Sequence, residues 1–351
     1  MTDTDPNAPL SGPVADDLTH LLDDAGVTGD RDLIGRILTT GLRLGTDGTD
    51  RLDLKIVSAA LVEMRNAFRI FAPFKDVPKV TIFGSARIKA DDPLYRQAHD
   101  VAARLAEAGW MVVTGAGPGI MQAATEGAGA DHSIGVSIRL PFEEKANALI
   151  DDDPKHVSMK YFFTRKLMLV KESRGFVSVP GGFGTLDETF ELLTLQQTGK
   201  AEPAPIVLLD EPGGTFWAGM QRWIDEQLVP AGVISPDDLD RVVITDSVDA
   251  AVEEIIGFWR NYDSMRWVGK RLVLRLRHAP TDEEVASLND RFGDLVAEGR
   301  IERTDPLGPE RSGADRLDLP RLVLVLNQFK VGSLYRLIRA INALPSAAGT
   351  A

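Results

Sequence analysis

The sequence predicts an α/β protein built on a doubly wound parallel sheet, with a helical N-terminal extension and a small C-terminal α+β domain. Three observations carry this expectation. After Pro73 and Pro78, short apolar runs alternate with longer segments of helical periodicity; glycine-bearing loops follow several of those runs; and the rhythm changes again beyond about residue 262. A chain of 351 residues is long enough for two domains or for one large domain with appendages.

The elements follow in order. Residues 1–17, MTDTDPNAPLSGPVADD, hold too few apolar groups to offset the entropy of ordering and are expected to form a disordered tail. Residues 18–72 carry apolar positions at helical spacing in three stretches (Leu18/Leu21/Leu22, Leu33/Ile34/Ile37/Leu38 and residues 54–71), punctuated by glycines, and predict a small helical extension. Residues 73–262 alternate strand and helix. The apolar runs lie at 80–83, 110–113, 134–138, 176–179, 206–209 and 242–244, and the helical patterns at 95–108, 120–129, 161–172, 186–197, 216–228 and 248–259. Repeated βαβ units imply a mostly parallel sheet covered on both faces. Residues 263–351 read as strand, turn, a helix capped by Thr281, strand, a Pro/Gly/charged loop, then strand and helix.

Composition narrows the function. With 39 Lys+Arg against 52 Asp+Glu the net charge is −13, so the chain as a whole repels polyanions and nucleic acid is not an expected partner. Cysteine is absent, which removes thiolate nucleophiles, thiolate zinc sites and disulfides together. The acidic start lacks the pattern of a signal peptide, and no apolar run is long enough for a membrane span, so a cytoplasmic protein without membrane contact is expected. The five histidines show no ligand spacing, and Asp151, Asp152, Asp153 and His156 read as a solvated turn, so no metal is expected. Neither a Walker A loop nor a G-x-S-x-G elbow is present.

The sharpest motif is PGGFGTLDE, residues 180–188, which follows the strand FVSV and opens a helix. Glycine lets a backbone turn tightly while presenting consecutive N–H groups, and a helix N-terminus adds its positive end, so Gly181, Gly182, Gly184 and Thr185 form a candidate anion cradle. Thr185 can cap the helix or donate its hydroxyl to a phosphate oxygen; a Thr185/Glu188 capping box is the reading that needs no ligand. A second loop, TGAGPGIMQAA, spaces Gly115, Gly117 and Gly119 two apart, which is not the dinucleotide spacing. The strand after it ends in Arg139 and Leu140 rather than an acidic residue, which further disfavours a dinucleotide. Gly84 and Ser85, ending the first strand in FGSAR, complete a set of three loops sized for a mononucleotide. Between the loops, Arg165 and Lys166 lie in a predicted helix running from Ser158 to about Ser173, where a guanidinium beside a cradle offers a fixed fork of donors. Met159 could wall a base.

These residues resemble the LOG (LONELY GUY) family, long mislabelled lysine decarboxylases. PGGFGTLDE is similar to the family's P-G-G-x-G-T-x-x-E signature, MKYFFTRK to its Met…Arg-Lys segment, and GAGPGIMQAATEGA to its glycine loop, with Ala116 where many members have glycine. The resemblance spans about residues 79–260. It implies a Rossmann-like homodimer that hydrolyses the N-glycosidic bond of a nucleoside 5′-monophosphate, AMP or an N6-modified AMP of cytokinin type, without a cofactor. By that resemblance Arg165 and Glu188 are the catalytic pair, and Gly181, Gly182, Gly184 and Thr185 bind phosphate. The competing reading is a non-catalytic nucleotide or molybdenum-cofactor carrier of related fold.

Overall fold

The computed structural model describes residues 12–140, 147–327 and 330–348. The chain divides into two compact units, residues 1–63 and 64–351.

The first unit is helical. Helix α1 (Pro13–Asp24) opens with Pro13 in its first turn, α2 spans Arg31–Thr46, and α3 (Arg51–Phe71) starts here and ends in the second unit. Arg31 ties α1 to α2 through Asp23 at 2.7 Å and the Val27 carbonyl at 2.7 Å. The expectation of a disordered tail is corrected over residues 13–17: proline fits a first helical turn, where its missing N–H has no partner to lose, and Val14 extends the apolar spacing of Leu18 backwards. Residues 1–11 of that span lie outside the described residues.

The second unit holds two sheets. The larger contains β1 (Lys79–Phe83), β2 (Met111–Thr114), β3 (Ser133–Ile138), β4 (His156–Met159), β5 (Gly175–Ser178), β6 (Ile206–Leu209) and β7 (Val242–Thr245). All pair in parallel, in the order β4-β3-β2-β1-β5-β6-β7. Helices α4 (Pro93–Glu107), α5 (Ile120–Ala128), α6 (Phe162–Lys171), α7 (Phe183–Gln197) and α8 (Phe216–Trp223) lie between them in the chain, and α9 (Val248–Gly257) follows β7. The central strands are buried throughout, as a sheet covered on both faces requires. Alternation then sorts the side chains: Val80, Ile82, Val112 and Val207 join a core with α4, α5 and α9, whereas Phe83, Val113, Ile206 and Leu208 join one with α6, α7 and the end of α3. Asp92 caps α4 through the Leu94 N–H at 2.8 Å, with Pro93 in the first turn.

Strand β4 was not expected. The helical pattern predicts a helix from Ser158, but His156–Met159 extends the sheet edge, so Ser158 and Met159 belong to a strand and α6 begins only at Phe162.

The second sheet is antiparallel, order β10-β11-β9-β8, from β8 (Tyr262–Val268), β9 (Arg271–Leu276), β10 (Val296–Arg303) and β11 (Arg321–Leu326). Helices α10 (Asp282–Phe292) and α12 (Ser333–Asn342) join a core of its leucines with Tyr262 and Tyr335; the short α11 (Gly308–Ser312) falls in the segment read as loop. The expected Thr281 cap is present as a full capping box with Glu284. Among the described residues no helix is long and apolar enough to cross a membrane.

Candidate active site

The strand order reverses direction between β1 and β5, the point in an open parallel sheet where the loops at the strands' C-terminal ends diverge and leave a crevice. The loops that follow β1 and β5 are those of Gly84–Ser85 and Pro180–Gly182, and the Gly115–Gly119 loop follows neighbouring β2. Three motifs read separately from the sequence thus converge at one place.

The glycines differ in why they are glycines. A Cβ on Gly115 would overlap the Arg165 guanidinium, one on Gly119 (φ +67°) the Ser85 and Ala86 backbone, and one on Gly84 the Ile120 side chain. A Cβ on Gly181 would overlap Thr185 Oγ1 and lie 3.0 Å from the Ser85 N–H nitrogen. Gly119 and Gly181 thus let the three loops touch, Gly84 admits Ile120 of α5, and Gly115 seats Arg165. Gly182 and Gly184, in contrast, face open space.

Helix α7 starts at Phe183 with Gly182 as its cap residue, earlier than the expected start at 186. Thr185 therefore sits inside the first turn, and both its expected capping role and the Thr185/Glu188 box are corrected: the glycine pair bends early enough for Phe183 to begin the helix. The Thr185 residue is buried, and its hydroxyl makes no hydrogen bond among the described residues. Helix α7 is pinned to β5 instead by Thr189, whose hydroxyl donates to the Thr185 carbonyl at 2.8 Å and accepts from Ser178 at 2.9 Å. The leading N–H groups of α7 are left facing the crevice, at the positive end of the helix.

Arg165 and Glu188 meet from different helices. Arg165 Nη1 lies 3.5 Å from Glu188 Oε1, with side chains only 10% and 13% exposed. Arg165 Nε donates to the Val136 carbonyl at 2.9 Å, and its guanidinium rests on Gly115, so the fork is held from two sides. Burial pushes the Glu188 carboxyl up from 4.5 to about 7, against the downward pull of Arg165 and then Lys166. A carboxyl so placed exchanges a proton near neutral pH.

The other expected site residues have partners within the protein. Lys166 turns away from Arg165, pairing with Asp187 at 2.8 Å and Glu191 at 2.7 Å. Burial draws its ammonium down, but those two partners outweigh it and hold the group above its ordinary value. Met159 is fully buried in the core beneath α6. Ser85 accepts from the Arg87 N–H at 3.1 Å and offers its carbonyl to Ile120 at 3.0 Å, so it binds the β1 loop to α5. The acidic turn is internally engaged: Asp153 pairs with Lys155, and His156 contacts the Asp151 carbonyl and Ser137. Sequence reasoning missed Met121, whose side chain packs against Gly115 and Gly117; its position directly behind the glycine loop was the available signal.

Together, the parallel sheet and the crevice at its reversal define a Rossmann-like α/β protein. A family model described as "Possible lysine decarboxylase" matches residues 119–255. The cytokinin riboside 5′-monophosphate phosphoribohydrolase of Mycobacterium tuberculosis is 32% identical over 164 residues, 45% of this chain and 83% of that protein. The protein of the same name from Mycobacterium marinum is 29% identical, over 46% of this chain and 84% of its own length. Among solved structures, the molybdenum cofactor carrier protein of Chlamydomonas reinhardtii aligns over 51% of this chain and 98% of its own, with 21% identity and a TM-score of 0.35. The chain belongs to the LOG family.

Proposed function

We propose that the protein hydrolyses the N-glycosidic bond of a nucleoside 5′-monophosphate, AMP or an N6-modified AMP, to free base and ribose 5-phosphate. The observation that carries this reading is the buried Arg165–Glu188 pair, whose Glu188 lies on α7, the helix whose glycine-led N-terminus faces the crevice. A phosphate would accept from the leading N–H groups of α7 and the free Thr185 hydroxyl. Glu188 follows Phe183 by about 7 Å along the helix axis, the scale of one ribose 5-phosphate. Its carboxylate would face the sugar, where bond cleavage develops positive charge at the anomeric carbon; water adds there, and the departing base takes a proton. Arg165 would orient that carboxylate and the ribose hydroxyls. The names of the mycobacterial relatives support the same chemistry.

The reading includes self-association. Phe162, Phe163, Leu167 and Phe183 are exposed on α6 and the start of α7, Phe183 at 94%, an apolar surface of the kind that a second copy covers.

The test is release of ribose 5-phosphate from a panel of nucleoside monophosphates, AMP and its N6-isopentenyl form among them. Release is expected from at least one, reduced about a hundredfold or more in Glu188→Gln with nucleotide affinity little changed. Nucleotide binding without release from any member would favour a carrier or sensor, and undiminished turnover by the variant would remove the role given to Glu188. Light scattering on the same preparation should give at least a dimer; a monomeric mass removes self-association from the reading.

A further inference from the structure

A groove of about 1160 Å³ runs between α6 and α7, away from the crevice, and ends against the C-terminal sheet. Its outer end holds the exposed Phe162 and Phe163. Its inner end is different in kind: Phe176, Leu195, Pro203 and Trp259 line an apolar floor, and Arg174 sits over it.

Arg174 is an unusual cation. Its guanidinium carbon stands 4.1 Å from the Trp259 ring centroid, and the indole N–H donates to the Arg174 carbonyl at 2.9 Å, so backbone and side chain are both fixed. Its guanidinium makes no hydrogen bond or ion pair among the described residues. The neighbouring acid that would serve, Asp263, is already taken by Arg316 and by Ser264 at 2.8 Å. Glu202 lines the same end but is exposed and unpaired among the described residues. Arg277 and Arg316 add positive charge around Arg174, and Asp263 and Glu202 oppose it. Burial lowers the guanidinium's proton affinity, the sign of a charge held partly out of water. At the same end, Gln196 gives its N–H to the Ala204 carbonyl at 3.0 Å while its Oε1 is buried without a donor.

We infer that this inner end of the groove binds an amphipathic carboxylic acid, its carboxylate on the fork of Arg174 and its aliphatic chain along Phe176, Leu195 and Pro203. A guanidinium with idle donors selects a planar anion over other polar groups. The floor selects an aliphatic body over a nucleobase, because one face of Trp259 is covered by Arg174 and Tyr262 lies tilted against the ring at 5.6 Å. The groove's walls are the helices that carry Arg165 and Glu188, but binding here does not depend on the hydrolase reading and is measured without turnover.

Octanoate is the probe, titrated calorimetrically into the intact chain, with octylamine as the opposite-charge control. Saturable octanoate binding is expected, with none for the amine. Arg174→Met should weaken it about tenfold or more, the loss of a charge-assisted hydrogen-bonded pair. Glu202→Gln, at an exposed position that tolerates change, should tighten it about twofold by removing a repelling carboxylate. No saturable octanoate binding, equal binding of octylamine, or unchanged affinity in Arg174→Met overturns the proposal. Should Arg174→Met fail to fold, Arg174→Lys retains the charge without the fork and must still weaken binding, and unchanged affinity in Glu202→Gln then counts against the site.

Discussion

Glu188 is held between opposing influences, and the balance between them is measurable. Burial raises its carboxyl to about 7, although Arg165 stands 3.5 Å away and pulls it down. If hydrolysis needs the carboxylate, the rate rises with pH, is half-maximal near 7 and falls about tenfold per pH unit below that. Stability runs in the opposite direction. Between the unfolded carboxyl's 4.5 and the folded 7, the folded chain binds a proton that the unfolded chain has released. The stabilisation from that proton is complete below 4.5 and is lost as pH rises through 7. Glu188→Gln carries no charge at any pH. It should therefore melt higher than the parent at about pH 8, by the equivalent of about 1–3 kcal/mol, with the gain vanishing below about pH 5. Thermal unfolding at the two pH values decides it; an equal difference at both would mean that Glu188 is not held in a desolvating site.

The elements around the site separate glycines that shape the protein from glycines that leave space. Gly115 must be small because the Arg165 fork rests on it, whereas Gly184 lies in the first turn of α7 with nothing near its missing Cβ. Gly115→Ala should displace Arg165 and cut kcat about tenfold or more while the fold survives. Gly184→Ala should raise helix stability by up to about 1 kcal/mol, yet raise KM by crowding the approach to the N–H groups of α7. Steady-state kinetics and melting of both variants check the pair; unchanged kinetics in both would place the reacting groups elsewhere. The contrast also marks what was legible. Strand–helix alternation and the three glycine loops were visible because they are local patterns of side-chain size and period. Strand β4 was hidden: HVSM is a four-residue edge strand with His156 half-buried and Ser158 exposed, too short and too polar to announce itself beside a helical pattern. The seat of Arg165 on Gly115 and the Val136 carbonyl joins residues far apart in the chain, and no spacing in the sequence encodes it.

Across the second unit, the parallel sheet and the C-terminal sheet are joined by specific polar bonds rather than by a linker. Asn342, at the end of α12, accepts at 2.8 Å from the N–H groups of both Asn261 and Tyr262 and donates to the Phe258 carbonyl at 2.5 Å, satisfying the backbone where the chain passes from α9 into β8. Arg339 reaches Glu254 at 2.8 Å and the Asp240 carbonyl at 2.7 Å, and Ser333 binds Asp237 at 3.0 Å, so α12 is fastened along its length to the segments around β7. Trp259 packs against all three apolar cores, the two of the parallel sheet and that of the C-terminal sheet. With the cores sharing a side chain and the passage between them buried, loss of one layer strips partners from the other. The second unit should accordingly unfold in one cooperative step. Asn342→Ala leaves two buried N–H groups and a carbonyl without partners, which costs about 2–4 kcal/mol, and the whole transition should move to lower temperature while remaining single. Calorimetry of the full chain reads this directly: a low-temperature transition splitting off while the main one stays in place would show that the C-terminal layer melts by itself, and that the passage through Asn261 and Tyr262 is a hinge rather than a weld.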